Sequence, residues 1–162
     1  MKDPPDTSTY DDFMVRAYAM ELEASERYTN FSEQLEKGNN REVSLLFQAL
    51  ARAEGLHANR ILTEMGWSSP PPLSPAFAWE GSEGPETASL DSLLDPIQPP
   101  RALVVALHCE QKAQKYFENI ASSAAPARVC IAAAAMATEE REHSRLIESW
   151  LARMPRPLFG WK

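Results

Sequence analysis

Cysteine is nearly absent: Cys109 and Cys130 stand alone among 162 residues and form no CxxC pair. That argues against a zinc ribbon, a rubredoxin-type iron site and a disulfide framework. Glycine is scarce, at 6 residues, and the period-two alternation of a strand is missing, which speaks against a sheet protein. No apolar run approaches the roughly 20 residues needed to span a bilayer. The opening residues, Met1-Lys2-Asp3-Pro4-Pro5-Asp6, lack the apolar stretch of a signal peptide. Positive charge is in deficit, with 16 Lys+Arg against 23 Asp+Glu and a net charge of −7. Nucleic acid and anionic membrane surfaces are therefore poor partners. The expectation is one soluble domain over 1–162, long enough for a real core and cytoplasmic.

Proline is abundant and unevenly placed. Eight of the 13 fall between Pro70 and Pro100, and none lies in 6–65, 101–125 or 127–154. An interior proline costs a helix about 3 kcal/mol or more, so the proline-free blocks can carry long helices. Gly38 suits a left-handed C-terminal cap, and Asn39 with Glu42 reads as a capping box. Together they split the first block into helices over 9–37 and 41–65, the second stopped by Gly66. A third helix opens after Pro99-Pro100 and runs over 100–121. A fourth covers 126–153, with Pro126 in its first turn and Pro155 beyond its end. These four would each be roughly 33–43 Å long. Short loops at 38–40 and 122–125 make two antiparallel hairpins, while 66–99 is long enough to cross the bundle. Part of that connection, Ser89–Leu94, suits a short helix of its own. Such an all-α, four-helix bundle with one long crossover has the ferritin-like arrangement.

Each helix buries a seam of residues spaced three and four apart. The first seam is Met14, Ala17, Glu21, Ala24, Tyr28, Phe31 and Leu35; the second is Phe47, Leu50, Glu54, His57 and Ile61. The third is Leu103, Ala106, Glu110, Ala113, Phe117 and Ile120. The fourth is Val129, Ala133, Met136, Glu140, His143, Ile147 and Trp150. Every seam is apolar except near its middle, where it carries one Glu, and two of the four add a His three residues later. Ionised and unpaired, four interior carboxylates would each cost several kcal/mol. Protons or cations must offset them. Four carboxylates with two neutral imidazoles match two divalent metals in charge, and carboxylate and imidazole suit iron or manganese. One Glu from each of two helices plus Glu-x-x-His from each of the others is the di-iron/di-manganese carboxylate pattern.

Glu21-x-x-Ala24-x-x-x-Tyr28, Ala51-x-x-Glu54-x-x-His57, Glu110-x-x-Ala113 and Glu140-x-x-His143 resemble the rubrerythrin branch of the ferritin-like superfamily. The resemblance covers the four helices and leaves out 66–99 and the tail. It implies that Glu54 and Glu140 bridge two metals and carry the catalysis. It further implies that Glu21 with His57 completes one metal, and Glu110 with His143 the other. The half-motifs are separated by 33 and 30 residues, consistent with a duplicated hairpin. The chain departs from rubrerythrin in having no four-cysteine iron domain. At the position where those peroxidases carry an additional carboxylate, three residues after Glu110, it has Ala113.

Tyr28, two turns after Glu21, is a candidate to hydrogen-bond a ligand carboxylate, and its counterpart in the second half is Phe117. Gly55 suits a close helix approach. His108 is off the seam and reads as a surface residue. Cys109 and Cys130 read as small apolar residues on helix flanks. Glu139 and Glu142 face away from the seam and read as solvated, so that Glu139→Ala should leave metal binding intact. The apolar tail Pro155–Lys162 suits folding back on the bundle or docking on a partner.

The expected activity is a di-iron oxidoreductase that oxidises Fe(II) with O2 or H2O2, in oxidative-stress or iron handling. Mn or a mixed Mn/Fe pair fits the same ligands, and electrons would come from an external donor. Alternatives are a non-catalytic metal-binding protein, an iron-storage ferroxidase subunit, a di-iron hydroxylase and a dimanganese catalase. Exposed apolar residues on long helices are compatible with a homodimer.

Overall fold

The computed structural model describes residues 9–70, 72 and 97–155. Four helices account for almost all of them: α1 (Tyr10–Lys37), α2 (Arg41–Met65), α3 (Pro99–Ala121) and α4 (Ala127–Arg153). Their bounds lie within a residue of those expected. No strand occurs among the described residues, and no described helix is long and apolar enough to cross a membrane. The short helix expected at Ser89–Leu94 and the tail beyond Pro155 lie outside the described residues.

The helix ends follow from local chemistry, with three departures from expectation. Thr9 caps α1, its Oγ1 accepting from the Asp12 N–H at 3.0 Å, which satisfies one of the orphan donors of the first turn. At the other end, Asn39 rather than Gly38 takes the left-handed conformation, with φ 62°. Gly38 stays at φ −86°. The Asn40 N–H reaches back to the Leu35 carbonyl at 2.8 Å and the Asn39 N–H to that of Glu36 at 3.0 Å. This is a Schellman closure, and asparagine tolerates its left-handed site because its short amide costs little there. Asn39 therefore cannot cap α2. Asn40 takes that position, with its side chain on the Gly38 carbonyl instead of on the α2 amides. Pro126 sits just before α4 rather than inside its first turn, at ψ 148°. Gly66 ends α2 in the left-handed conformation as expected, at φ 67°.

Two apolar clusters fill the two ends of the bundle. One gathers Tyr28, Phe31 and Leu35 of α1 with Phe47 and Leu50 of α2, Leu103 and Ala106 of α3 and Ile147 of α4. The other gathers Phe13, Met14 and Ala17 with Ile61, Phe117, Ile120, Val129 and Ala133. The beginnings of α2 and α3 thus share one end, and their C-terminal halves the other. Helices α2 and α3 run parallel, each antiparallel to its hairpin partner. Their connection therefore leads from one end of the bundle to the other, the crossover expected from the length of 66–99. Ile97 anchors its far end, buried, with its N–H on the Gln34 side chain at 3.0 Å.

Candidate metal centre

Between the two apolar clusters lies a polar layer. Glu21, Glu54, Glu110 and Glu140 expose 2%, 0%, 2% and 4% of their surface, so the carboxylates of all four seams point inward. His57 and His143 come in from α2 and α4 with their rings stacked, centroids 5.9 Å apart and planes 9° from parallel. Each ring turns Nδ1 toward the carboxylates. His57 Nδ1 lies 3.6 Å from Glu21 and 3.8 Å from Glu54. His143 Nδ1 lies 2.8 Å from Glu54 and 3.6 Å from Glu110. Glu54 is therefore within reach of both imidazoles, as a bridging residue would be. A void of about 30 Å³ is lined by all four glutamates on the α1/α3 side, enough for one water-sized guest.

The donor atoms fall into two sets. Glu54, Glu110, Glu140 and His143 bring ligand atoms within 4.8 Å of one another, and so do Glu21, His57 and Glu139. Glu21 stands with His57 in one set, and Glu110 with His143 in the other. Many of these atoms lack a well-aligned hydrogen bond: both oxygens of Glu54, Glu110 Oε2, Glu139 Oε2 and Nδ1 of both histidines, although His143 Nδ1 and Glu54 Oε1 stand 2.8 Å apart as an ion pair. A buried polar group left unpaired costs roughly 1–3 kcal/mol, more if charged. A whole layer of them, aimed at one another, is compatible with divalent cations. Hard carboxylate oxygens with borderline imidazole nitrogens suit iron, manganese or zinc.

Without a cation, protons take its place. Burial, reinforced by the neighbouring Glu54, holds the Glu21 carboxyl well above its ordinary range. Burial with Glu54 and Glu110 nearby does the same for Glu140. Burial also pushes Glu110 up, but Glu140, His143 and the Tyr28 hydroxyl outweigh it, and its pKa is lowered. For His143 burial opposes the charged ring, yet the Glu110 and Glu54 carboxylates overcome it and raise the pKa to about 10. The layer thus combines neutral carboxyls with an imidazolium–carboxylate pair, a charge balance that a metal ion would replace.

Tyr28 lies beside the layer. It is fully buried and its hydroxyl donates to Glu110 Oε1 at 2.5 Å, fixing one carboxylate of the second position. Phe117, its counterpart, packs edge-on against Phe13 and offers no hydroxyl. His108 and Glu142 are exposed as expected. Cys109 is more deeply placed than a flank position implies, buried beside Glu110 and lining the central void.

Glu139 corrects the sequence reading. It does not face away: Glu139 Oε2 stands 3.4 Å from His57 Nδ1, and Oε1 pairs with Arg60 at 2.7 Å. A seam one residue wide misses it, because in a bundle the buried stripe is 100° or more across. One step along a helix turns by about that angle, so the residue beside Glu140 swings toward α2 instead of toward solvent. Two signals were present: the Glu139-Glu140 doublet, and Arg60 three residues after His57. Glu139 also helps to line a cavity of about 420 Å³ that reaches Glu21 and His57 past Met14, Ile61 and Met136.

Comparison with known proteins agrees with this geometry. Residues 12–70, spanning most of α1 and all of α2, match the Rubrerythrin family model. No curated protein matches the sequence. The crystal structure of an uncharacterized conserved protein from Magnetospirillum magnetotacticum MS-1 superposes with a TM-score of 0.79. The two share 27% identity over 93% of this chain and 99% of that one. The chain is thus similar to the Rubrerythrin family in sequence over its first helix hairpin, and to the Magnetospirillum protein in fold over nearly its whole length.

Proposed function

We propose that this protein is a di-iron oxidoreductase that oxidises Fe(II) with O2 or H2O2. The observation that carries the reading is the buried layer of four glutamates and two histidines with its unpartnered donor atoms. Glu21, Glu54, His57, Glu110, Glu140 and His143 would hold two iron ions, with Glu54 and Glu140 shared between them. Bound iron supplies the two electrons that reduce the oxidant. The protein holds the ligands in place: Tyr28 orients Glu110, and Arg60 orients Glu139. The apolar clusters above and below exclude bulk water, which strengthens every charge interaction in the layer. Oxidant reaches the centre through the cavity at Glu21 and His57. Electrons return from an external donor in the cytoplasm, and the activity serves oxidative-stress or iron handling. Manganese, alone or mixed with iron, fits the same donors.

One observation favours a second reading. A cavity of about 420 Å³ is far larger than O2 or H2O2 needs and falls in the size range of small-molecule sites. A hydroxylase acting on an organic substrate would use that room.

Stopped-flow absorbance of the Fe(II)-loaded protein, mixed with O2 or with H2O2, tests the first reading. Ferric absorbance should grow faster than in an equal concentration of free Fe(II), and the faster oxidant identifies the physiological one. Loaded protein that oxidises no faster than free iron would be a metal-binding protein and no oxidase. A rate that depends on an added apolar compound would select the hydroxylase.

A further inference from the structure

We infer that Glu139 is a seventh metal-binding side chain, a ligand of the Glu21/His57 position through Oε2. The inference rests on the metal-centre reading above and adds to it a residue that neither helix seam nor family resemblance supplies.

Three observations carry it. First, Glu139 Oε2 is buried, has no hydrogen-bond partner and lies 3.4 Å from His57 Nδ1. The same nitrogen faces Glu21 at 3.6 Å and Glu54 at 3.8 Å. A carboxylate that merely oriented the imidazole would meet the nitrogen turned away from the ligand cluster. Glu139 instead meets the nitrogen turned into it. Second, Glu54 is wholly buried, and its Oε2, without a hydrogen-bond partner, lies 3.8 Å from the same His57 nitrogen, so a deeply buried group independent of Glu139 faces that nitrogen too. Third, the other carboxylate oxygen is fixed: Arg60 holds Oε1 at 2.7 Å. A monodentate ligand whose second oxygen is held by a guanidinium is an oriented one.

The arrangement belongs to one half of the internal duplication. The residues equivalent to Glu139 and Arg60 in the other hairpin are Ala53 and Leu146, neither of which can coordinate or pair. The two metal positions therefore differ. The Glu110/His143 position is braced by Tyr28, while the Glu21/His57 position gains a carboxylate on the side open to the cavity. The added negative charge favours the more highly charged state of the metal it binds.

Equilibrium titration with Co(II), whose visible absorption reports coordination number and ligand type, tests this. The wild-type chain, Glu139→Gln and Arg60→Met are titrated, and thermal unfolding of each metal-free protein checks that the variants fold. Wild type should take two ions. Glu139→Gln should keep one at wild-type affinity and bind the other about tenfold or more weaker, with an altered spectrum for that ion. Arg60→Met, which leaves the carboxylate in place but unheld, should retain both ions and weaken that one clearly less than Glu139→Gln does. Folded Glu139→Gln with both affinities and spectra unchanged overturns the inference. So does equal weakening of one ion by both variants, since Glu139 would then act only through its ion pair. A wild-type chain that takes no ion fails at the earlier step, the metal centre itself.

Discussion

Glu54 is the residue on which the two halves of the molecule converge. It is fully buried, both its oxygens lack hydrogen bonds, and both imidazoles lie within 3.8 Å. Glu54→Ala should therefore abolish binding of both metal ions, not of one, which a titration of the variant checks directly. Glu140→Gln should do the same while leaving the metal-free fold as stable as wild type. The Glu140 carboxyl is held protonated by burial and by its carboxylate neighbours, and an amide resembles that neutral form. Tyr28→Phe removes one donor from a buried acceptor. It should cost the metal-free protein roughly 1–3 kcal/mol, read by denaturant unfolding, and weaken the Glu110/His143 position by about tenfold. The residue scale is also where sequence reasoning met its limit. The six buried seam residues were legible because a lone polar residue in an apolar seam stands out against its period. Glu139 was not, because adjacency along the helix says nothing of which neighbour the flank faces. That depends on where α2 sits against α4.

At the scale of the elements, nearly everything was legible. Proline placement confined the helices, and two short polar loops joined them in pairs. The errors sit at the caps, where a choice between adjacent residues is decided by a few tenths of a kcal/mol. Asn39 took the left-handed site expected of Gly38 because the closure falls one residue later along the chain. Gly55 shows how a helix residue is set by its neighbour. A Cβ placed there would stand 3.4 Å from Ser25 Oγ, and that hydroxyl already donates to the Ala51 carbonyl at 2.9 Å. The close approach of α1 and α2 accounts for a small residue, but the space accepts a methyl at ordinary contact. Gly55→Ala should accordingly stabilise the metal-free protein by up to about 1 kcal/mol through helix propensity, measured by thermal or denaturant unfolding. A loss of stability would mean that Ser25 cannot yield.

For the whole molecule, the polar layer links folding to protons and to metal. Burial raises Glu21 and Glu140, so folding favours their protonated forms and their contribution to stability is lost as the pH rises above the ordinary carboxyl range. His143 acts in the same direction over a known window. Its contribution is fully present below its ordinary value of 6.5 and is lost as the pH rises toward about 10. Glu110, lowered in the fold, opposes them only in acid, where protonating it removes stability. Metal-free protein should therefore unfold at progressively lower temperature between neutral and alkaline pH. Metal-loaded protein should melt higher than metal-free protein throughout, since a ligand bound only by the folded state stabilises it by mass action. Thermal scans across pH with and without Co(II) read both effects.

The buried layer of glutamate and histidine is proposed to be a binding centre for two metal ions. Anaerobic Fe(II) titration of the metal-free chain, followed by equilibrium dialysis and iron analysis, tests it most directly. Saturation is expected at two Fe(II) per chain, with protons released as the carboxyls of Glu21 and Glu140 and the imidazolium of His143 give up their hydrogens. Saturation at one ion or none, with no proton release, would contradict it.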